Sequence, residues 1–492
     1  MRLEPLNWNQ GIGGLSMAID AATEVSLTEK KRIYRKVALR LMPLLVICYF
    51  ISFIDRTNIG IAQIGLERDL GFSEAVYALG VSCFFVGFII FEIPSNALMS
   101  RIGARKTIVR IMMLWGLVTI ATMFITGPVT FYIARFLLGV AEAGFFPGCL
   151  LFLSYWFPSS RRTGMTAIFF MAIPISGAVG SAMSGWIMSA FGGVAGLADW
   201  QWLFVIEGIP PLILAGIAWL VLCDRPSQAK WLSGAEKAVV EQDLADDSAT
   251  KGTGHESHGG LRVALRDPRV WILGLGACAA YTFANAVSFW TPRIIHRSGI
   301  DDPLSLGLLS AIPPIGGIIV MLLVGRHSDR TRERRWHTAV PWLTGIATMF
   351  ILAFTLDTPP LVVVLLTVMA CAHYSGLTVF YSIPSIYLSP RTAATGIAFV
   401  TAAGSVMAAV APAMLAAIQA ITGDISVGLM ASGLIILCGV FVVLIGIPAK
   451  SLREADTRQA TELNAEGEPT VGQNGCGDEA VSGSVASGDG ER

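Results

Sequence analysis

Stretches of about 20 apolar residues recur along the whole chain, and each is long enough to cross the roughly 30 Å hydrocarbon core of a bilayer as a helix. The first begins only after about forty mostly polar residues and has no small-residue cleavage site behind it, so it is not a signal peptide. The pattern predicts an all-α integral membrane protein with twelve transmembrane helices. We place these spans at 38–62, 74–99, 106–126, 130–156, 164–190, 201–223, 270–292, 304–325, 338–356, 360–388, 393–419 and 426–447.

Composition supports the same class. Of 492 residues, 54% are apolar and 14% are charged, whereas an ordinary soluble domain has about 25% charged residues. Lys plus Arg and Asp plus Glu number 35 each, so net charge gives no reason to expect a nucleic-acid partner. Seven of the eight cysteines lie in or beside apolar stretches without metal-binding spacing, and we expect neither a metal nor a cofactor.

The basic residues predict the orientation. With twelve spans both chain ends share one side, and 30 of the 35 Lys and Arg residues fall on that side. The opposite side holds only Arg68, Arg293 and Arg297, so the positive-inside rule places both termini in the cytoplasm. The 30 include Arg40, Lys106 and Arg110 in the first five residues of their spans, whereas the remaining two, Arg56 and Arg135, fall deep inside spans.

The chain contains an internal repeat. The turn SNALMSRIGARKTI from Ser95 and the turn VGRHSDRTRERRWH from Val324 superpose at an offset of 229, each between the second and third spans of its half. A basic inside loop alone explains the charge of these turns, but not their shared spacing. We therefore predict two pseudo-symmetric six-helix bundles. The predicted segments are a cytoplasmic N-terminal segment 1–37, bundles 38–223 and 270–447, a cytoplasmic linker 224–269 and a disordered cytoplasmic tail 448–492.

Two acids and two bases lie within the predicted membrane core, where an ionisable side chain costs about 2.5 to 3.5 kcal/mol. Asp55 and Arg56 belong to the first span, and Arg135 and Glu142 lie two turns apart on one face of the fourth. They can form a structural salt-bridge cluster. A guanidinium also binds carboxylates bidentately, and buried acids exchange protons. We therefore expect Asp55 and Glu142 to take up protons, Arg56 to hold a substrate anion, and Arg135 to pair with a carboxylate or the substrate.

Other polar residues in the spans are assigned weaker roles. Glu92 is expected to be structural, as a partner of the basic turn 101–106, and Glu207 to make a helix-end or inter-helix contact. His373 is either a proton carrier or a histidine satisfied by a neighbouring helix. Five residues of the second half are candidates to donate hydrogen bonds to a substrate: Asn285, Tyr374, Thr378, Tyr381 and Thr401.

The motifs FISFIDRTNIGIA, RFLLGVAEAGFFPG, FEIPSNALMSRIGARK, SFWTPRII and GRHSDRTRERRWH resemble those of the anion:cation symporter family of the major facilitator superfamily. The resemblance covers residues 40–447 and implies proton- or sodium-driven uptake of organic anions across the bacterial inner membrane. In bacterial members these anions are sugar acids, tartrate, phthalate or hydroxyphenylacetate. It also implies that Asp55 and Glu142 are the protonatable acids, Arg56 the substrate-binding arginine and Arg135 the arginine one helical face away.

The chain departs from that family at two places. FVTAAGS has Thr401 and Ser405 where many members have asparagines, and FFMAIPISG lacks the glutamine typical of sugar-acid carriers. Phe53, with Phe85 or Phe88, adds aromatic surface. We therefore favour a monomeric proton symporter, not an enzyme, for aromatic or dicarboxylic acids such as phthalate, hydroxyphenylacetate or tartrate. The alternatives are a gluconate- or galactonate-type symporter, an anion exchanger or a transporter-like sensor.

Overall fold

The computed structural model describes residues 27–252, 261–388, 390–449 and 452. Most of the predicted N-terminal segment, part of the linker and nearly all of the predicted tail lie outside these residues. The described residues form helices and no strand. The helices up to the linker are α1 Leu27–Thr57, α2 Ile59–Leu70, α3 Glu74–Ile102, α4 Ala104–Ala121, α5 Pro128–Glu142, α6 Phe145–Ser154, α7 Ser159–Phe170, α8 Ala172–Phe191 and α9 Asp199–Val221.

The linker and the second half contain nine further helices within the described residues. They are α10 Gly234–Gly252, α11 Leu261–Arg266, α12 Pro268–Ser288, α13 Thr291–Arg297, α14 Pro303–Thr331, α15 Arg335–Leu352, α16 Pro359–Tyr387, α17 Pro390–Thr422 and α18 Ile425–Gly446.

Eleven helical segments of the described chain are long and apolar enough to cross a membrane. They coincide with eleven of the twelve predicted spans, and three of them are helix pairs: α1 with α2, α5 with α6, and α7 with α8. The remaining span, 338–356, overlaps α15. This helix does not reach the same apolarity because it begins with Arg335, Trp336 and His337. It nevertheless packs against α16 and α18, two long helices of the same half.

Short polar residues fix several helix starts. The side chains of Asp302 and Asp424 accept hydrogen bonds from the backbone N–H groups of Ser305 and Ser426, 2.8 Å in each case, at the starts of α14 and α18. Such N-caps satisfy amide groups that have no partner within the helix. Between α5 and α6, Gly144 adopts a φ of 85°, which is strained for any residue with a Cβ. This glycine therefore ends α5 directly after Glu142.

The internal repeat is visible in the two basic turns. In the first half the Arg105 guanidinium donates to the backbone carbonyl of Trp219 near the end of α9. In the second half the Arg335 guanidinium donates in the same way to the carbonyl of Leu444 near the end of α18. Each turn between the second and third spans is thus tied to the last span of its own half.

The loops divide the molecule into two faces. The linker helix α10 lies on one of them, which we name the linker face, and Lys30 and Lys36 at the start of α1 pair there with Asp243 and Glu236 at 2.8 and 2.7 Å. The other, which we name the opposite face, carries the loops between α2 and α3 and between α12 and α14. By the distribution of basic residues, the linker face is the predicted cytoplasmic side.

The two halves meet along two helix pairs, α8 with α14 and α3 with α17. The α8 and α14 backbones cross at Gly185 and Gly307. A Cβ added to Gly185 would lie 2.4 Å from the carbonyl oxygen of Pro303 and 2.8 Å from Cα of Gly307. Small residues permit such close helix crossings in membranes.

Apolar packing joins the halves at the opposite face. One buried cluster combines Ile59, Leu66 and Phe204 of the first half with Phe289, Trp290 and Leu306 of the second. A second cluster, which includes Trp115 and Trp156, contains residues of the first half and the linker only. We infer that the space between the halves opens toward the linker face.

Ion pairs seal the same end. Arg293 of α13 contacts Glu67 of α2, and its Nε donates to Oε1 of Glu74, at the start of α3, over 2.8 Å. Arg297 donates to the same Glu74 oxygen over 2.6 Å. We name these four side chains the opposite-face lock, because every pair in it links one half to the other.

Candidate substrate and proton site

The four charged residues predicted inside the membrane lie together between α1 and α5. Nε of Arg56 donates to Oε2 of Glu142 over 2.7 Å, and the Arg56 side chain is 15% exposed whereas that of Glu142 is fully buried. Asp55 faces Glu142 closely enough to share a hydrogen bond when one of the two carboxyls is protonated. A guanidinium and two adjoining carboxyls therefore meet at one point.

Hydroxyl and amide groups hold Asp55 in place. The residue is 1% exposed, and Oγ1 of Thr119 in α4 lies 3.0 and 3.1 Å from its two oxygens. Nδ2 of Asn58, one turn further along the chain, lies 3.4 Å from Oδ1. Neither contact depends on a fixed charge, so Asp55 can be held in both its protonated and its ionised form.

Arg135 has a different environment from Arg56. It is 1% exposed, and in the part of the chain that the structure describes no carboxylate lies within 4.0 Å of it. Its Nε and Nη2 atoms have no hydrogen-bond partner among these residues, while the guanidinium lies 5.0 Å from the ring centroid of Phe84. Asp55 and Glu142 are its charged neighbours at longer range, and its predicted role in pairing with a carboxylate or the substrate stays a prediction.

Three aromatic rings surround the Arg56 guanidinium. The centroids of Phe53, Phe84 and Phe88 lie 5.2, 5.7 and 4.9 Å from its central carbon. Cation–π contacts of this length are attractive, and the rings leave Nη2 without a hydrogen-bond partner among the described residues. Phe84 is an addition to the predicted aromatic surface, and Phe85 instead packs against Phe289 of the other half at 6.1 Å.

Among the predicted residues of the second half, Tyr374 approaches the first half. Its ring packs on Gly317 of α14, and its hydroxyl lies near Gly177 of α8. Asn285 is 5% exposed; its amide donates to the Tyr281 carbonyl over 2.9 Å, whereas its Oδ1 atom has no donor within the described chain. A buried acceptor without a donor is unusual, and Asn285 therefore keeps one group free.

The hydroxyls of Thr378 and Thr401 donate to carbonyls of their own helices over 2.8 and 3.0 Å, so their protons are not directed at a ligand here. Tyr381 lies beside Tyr281, and Tyr281 is also an electrostatic neighbour of Arg56. The sequence analysis missed Tyr281. Its place one turn before Asn285 on α12 was the signal that could have identified it.

Two further polar residues of the spans, Glu92 and His373, have surroundings that the structure describes. Glu92 has Arg56 and Tyr281 as electrostatic neighbours, so it faces the charged site and not only the basic turn 101–106. The His373 ring packs against Phe283 and Tyr374 at 5.2 and 5.0 Å. Its Nδ1 has no partner among the residues described, so aromatic packing, not a hydrogen bond at this nitrogen, holds the ring. Within the same residues, no three potential metal ligands are grouped.

Comparisons with known proteins agree with this architecture. The family model described as Major Facilitator Superfamily matches residues 45–412. A Pseudomonas putida protein named as metabolite transport protein NicT is 40% identical over 420 residues, covering 85% of this chain and 95% of the relative. An Agrobacterium vitis protein named as a tartrate transporter is 38% identical over 434 residues, covering 88% and 94%. The solved xylose transporter of E. coli, in a partially occluded inward open conformation, superposes with a TM-score of 0.65 at 12% identity and covers 83% and 98% of the two chains.

Proposed function

The chain belongs to the Major Facilitator Superfamily and is a membrane transporter, and we propose that it carries a small organic carboxylate together with a proton. The observation that carries this proposal is the hydrogen bond between Arg56 and Glu142, with Asp55 facing the same carboxyl. Relatives that are named as tartrate and metabolite transporters support an organic anion as cargo.

Coupling follows from competition for one guanidinium. Arg56 binds Glu142 when no substrate is present, and a substrate carboxylate is the same kind of partner. The anion can replace Glu142 without leaving a buried charge unpaired only if Glu142 takes up a proton. When one anion and one proton bind together, the net charge of the site is the same as in the empty protein. The loaded site therefore crosses between the two sides more readily than a site that holds the anion or the proton alone.

The surroundings of Arg56 favour particular substrates. Three phenylalanine rings border the free Nη2 atom, and Arg135 offers unpaired donors nearby. An aromatic ring of the substrate can pack against these phenylalanines, and a second carboxylate can bind Arg135. Phthalate, hydroxyphenylacetate and tartrate each offer at least one of these groups. Few polar groups in this region are free to bind hydroxyls, which makes a sugar acid the second candidate.

We place the protein in the bacterial inner membrane as a monomer, with the linker face and both termini in the cytoplasm, because the linker face holds most basic residues. In this orientation the lock of Glu67, Glu74, Arg293 and Arg297 closes the periplasmic end. The structure then corresponds to the state that exchanges substrate with the cytoplasm. An anion exchanger and a transporter-like sensor are the remaining alternatives.

Uptake by proteoliposomes tests the proposal. Purified protein is given labelled phthalate, 4-hydroxyphenylacetate, tartrate and gluconate, with and without an inward proton gradient, and with sodium as the alternative ion. We expect accumulation of one of the first three acids only with the proton gradient. Sodium-dependent accumulation, strict exchange of internal for external anion, or preference for gluconate would each contradict the corresponding part of the proposal.

A further inference from the structure

A third buried carboxyl, Glu207 of α9, lies outside the mechanism described above. It is 2% exposed. Ser184 of α8 donates to Oε1 over 2.7 Å and Nδ2 of Asn58 donates to Oε2 over 2.8 Å. In the described parts of the chain, no arginine, lysine or histidine lies within salt-bridge distance of it. Glu207 is thus a buried acid held by neutral groups alone.

Asn58 connects this acid to the charged site. The same Nδ2 group that donates to Glu207 also lies 3.4 Å from Oδ1 of Asp55, and Oδ1 of Asn58 has no donor in the described structure. Asn58 follows Asp55 by nearly one turn in the direction of the opposite face. Three carboxyls therefore lie in sequence from the opposite face inward: Glu207, Asp55 and Glu142.

The charged groups around Glu207 are few. Of the helices that pack on α9, α1 contributes the carboxyl of Asp55, and Arg135 and Glu142 lie beyond it. The helix α8 contributes the hydroxyl of Ser184, which donates to Glu207. The helix α4 contributes the hydroxyl of Thr119, which donates to Asp55. A carboxylate buried without a cation is normally neutralised by a proton. Two neighbouring acids cannot readily ionise together, so one proton is shared between them.

We propose that Glu207 and Asp55 form a carboxyl pair, joined through Asn58, that shares one proton, with Glu207 as the member that loads it from the opposite face. Nδ2 of Asn58 donates toward both carboxyls and cannot relay a proton, so the proton moves by release from an oxygen of Glu207 and uptake at an oxygen of Asp55, which leaves the charge of the pair unchanged. Ser184 and Asn58 then stabilise the Glu207 carboxylate. Asp55 passes the proton to Glu142, the group that must be neutral before an anion can replace it on Arg56, and Glu207 takes up a replacement proton from the opposite face, so the two neighbouring acids do not ionise together. The inference rests on the proposed symport, to which it adds the route of the proton.

Infrared difference spectroscopy tests the pair without a substrate. The full-length protein in liposomes is titrated with acid and base alone, and the carbonyl bands of protonated carboxyl groups are followed. We expect Glu207→Gln to remove one titrating band, and the matched change Glu241→Gln, at an exposed glutamate of α10, to leave that band in place. Asp55→Asn should move the midpoint of the Glu207 band by about one pH unit or more, as for interacting acids.

Two results would overturn the pair: a Glu207 band that does not titrate while the protein is folded, or a midpoint that Asp55→Asn leaves unchanged. If Glu207→Gln does not fold, Ser184→Ala keeps the carboxyl and removes one hydrogen bond. It should shift the frequency of the same band, and an unchanged band contradicts the assignment. Because only protons are used as the probe, a failure of transport leaves this result intact, and the two proposals are tested separately.

Discussion

Nε of Arg56 donates to Oε2 of Glu142 over 2.7 Å, and this bond joins the last turn of α1 to the last residue of α5. Gly144 follows Glu142 by two residues with a φ of 85°, and Asp55 adjoins the same carboxyl. The bond joins a cation to an acid that can take up a proton. The protonation state of Glu142 therefore determines whether Arg56 is free to bind another anion. The following predictions depend on this link and on the packing that surrounds it.

Removing both acids should uncouple transport from the proton. In the variant Asp55→Asn, Glu142→Gln, neither of the two carboxyls assigned to proton uptake remains, so accumulation against a gradient should be lost. Exchange of labelled for unlabelled substrate should persist, since Arg56 and Arg135 remain. Counterflow and proton-driven uptake are measured in the same proteoliposomes. Full uphill uptake by this variant would refute the assignment of both acids.

Replacing Arg56 with lysine should weaken binding although the charge is kept. Lysine lacks the planar fork that binds carboxylates bidentately, and it stacks less well against Phe53 and Phe88. Loss of one charge-assisted hydrogen bond, about 1.5 to 3 kcal/mol, corresponds to an affinity roughly ten- to hundredfold lower. Isothermal titration with the acid that is accumulated best measures the effect. An unchanged affinity would remove Arg56 from the binding site.

The opposite-face lock should show energetic coupling across the halves. Glu74→Gln and Arg293→Gln each break contacts that join the halves, so each should shift the population toward forms that are open at the opposite face. In a double-mutant cycle the two changes should be non-additive by about 0.5 to 3 kcal/mol, as for residues in contact. Distances between spin labels on α2 and α13 report the shift. Additive effects would mean that the ion pair does not hold this end closed.

The glycine crossing offers a test of packing. In Gly185→Ala the new Cβ would lie 2.4 Å from the carbonyl oxygen of Pro303, and overpacking of this kind costs about 1 to 3 kcal/mol. We expect a lower melting temperature in detergent and a larger open fraction at the opposite face. Gly216→Ala on α9 is the matched control, because no neighbour lies within 4 Å of its Cβ and a helical Gly→Ala change stabilises by about 0.5 to 1 kcal/mol.

The contact of α10 with α1 should depend on pH. The hydrogen bond from Lys36 holds the pKa of Glu236 below its usual range. The contact is therefore fully present above the pKa of an unfolded glutamate, about 4.3, and is lost as the pH falls through the lower folded value. Since the pair is exposed, its effect is small. Lys36→Ala should speed amide exchange in α10 at neutral pH, whereas wild type and variant should exchange alike at pH values below the folded pKa.

The sequence predicted the features that depend on the order of residues along one helix. Runs of apolar residues locate the spans, and Arg135 and Glu142 lie on one face because they are seven residues apart. Both acids and both arginines became candidates because ionisable side chains inside membrane spans are costly. The predicted span 338–356 also overlaps a helix, α15, although Arg335, Trp336 and His337 reduce the apolar character of its first turn.

What the sequence did not predict depends on how separate helices pack. The contact of Glu207 with Ser184 and Asn58 joins positions that are 23 and 149 residues apart. The sequence predicted a helix-end or inter-helix contact for Glu207, but the local sequence of α9 does not indicate which residues are its partners. The hydroxyls of Thr378 and Thr401 bond to their own helices because a backbone carbonyl one turn earlier is always within reach. Tyr281 of α12 lies near Arg56 of the other half, a relation between two helices that the sequence of one helix does not show.

The close approach of Gly185 and Gly307 also has a mechanical consequence. The two helices can tilt about this crossing, where their backbones leave no room for a side chain. Ala172, where α8 begins, is about 20 Å from Gly185 at 1.5 Å per residue. A tilt of about 10° at the crossing therefore displaces that end by about 3.5 Å, which is longer than the hydrogen bonds of the charged site. A tilt too small to open the opposite face to water thus moves the start of α8 far enough to make or break contacts near the substrate.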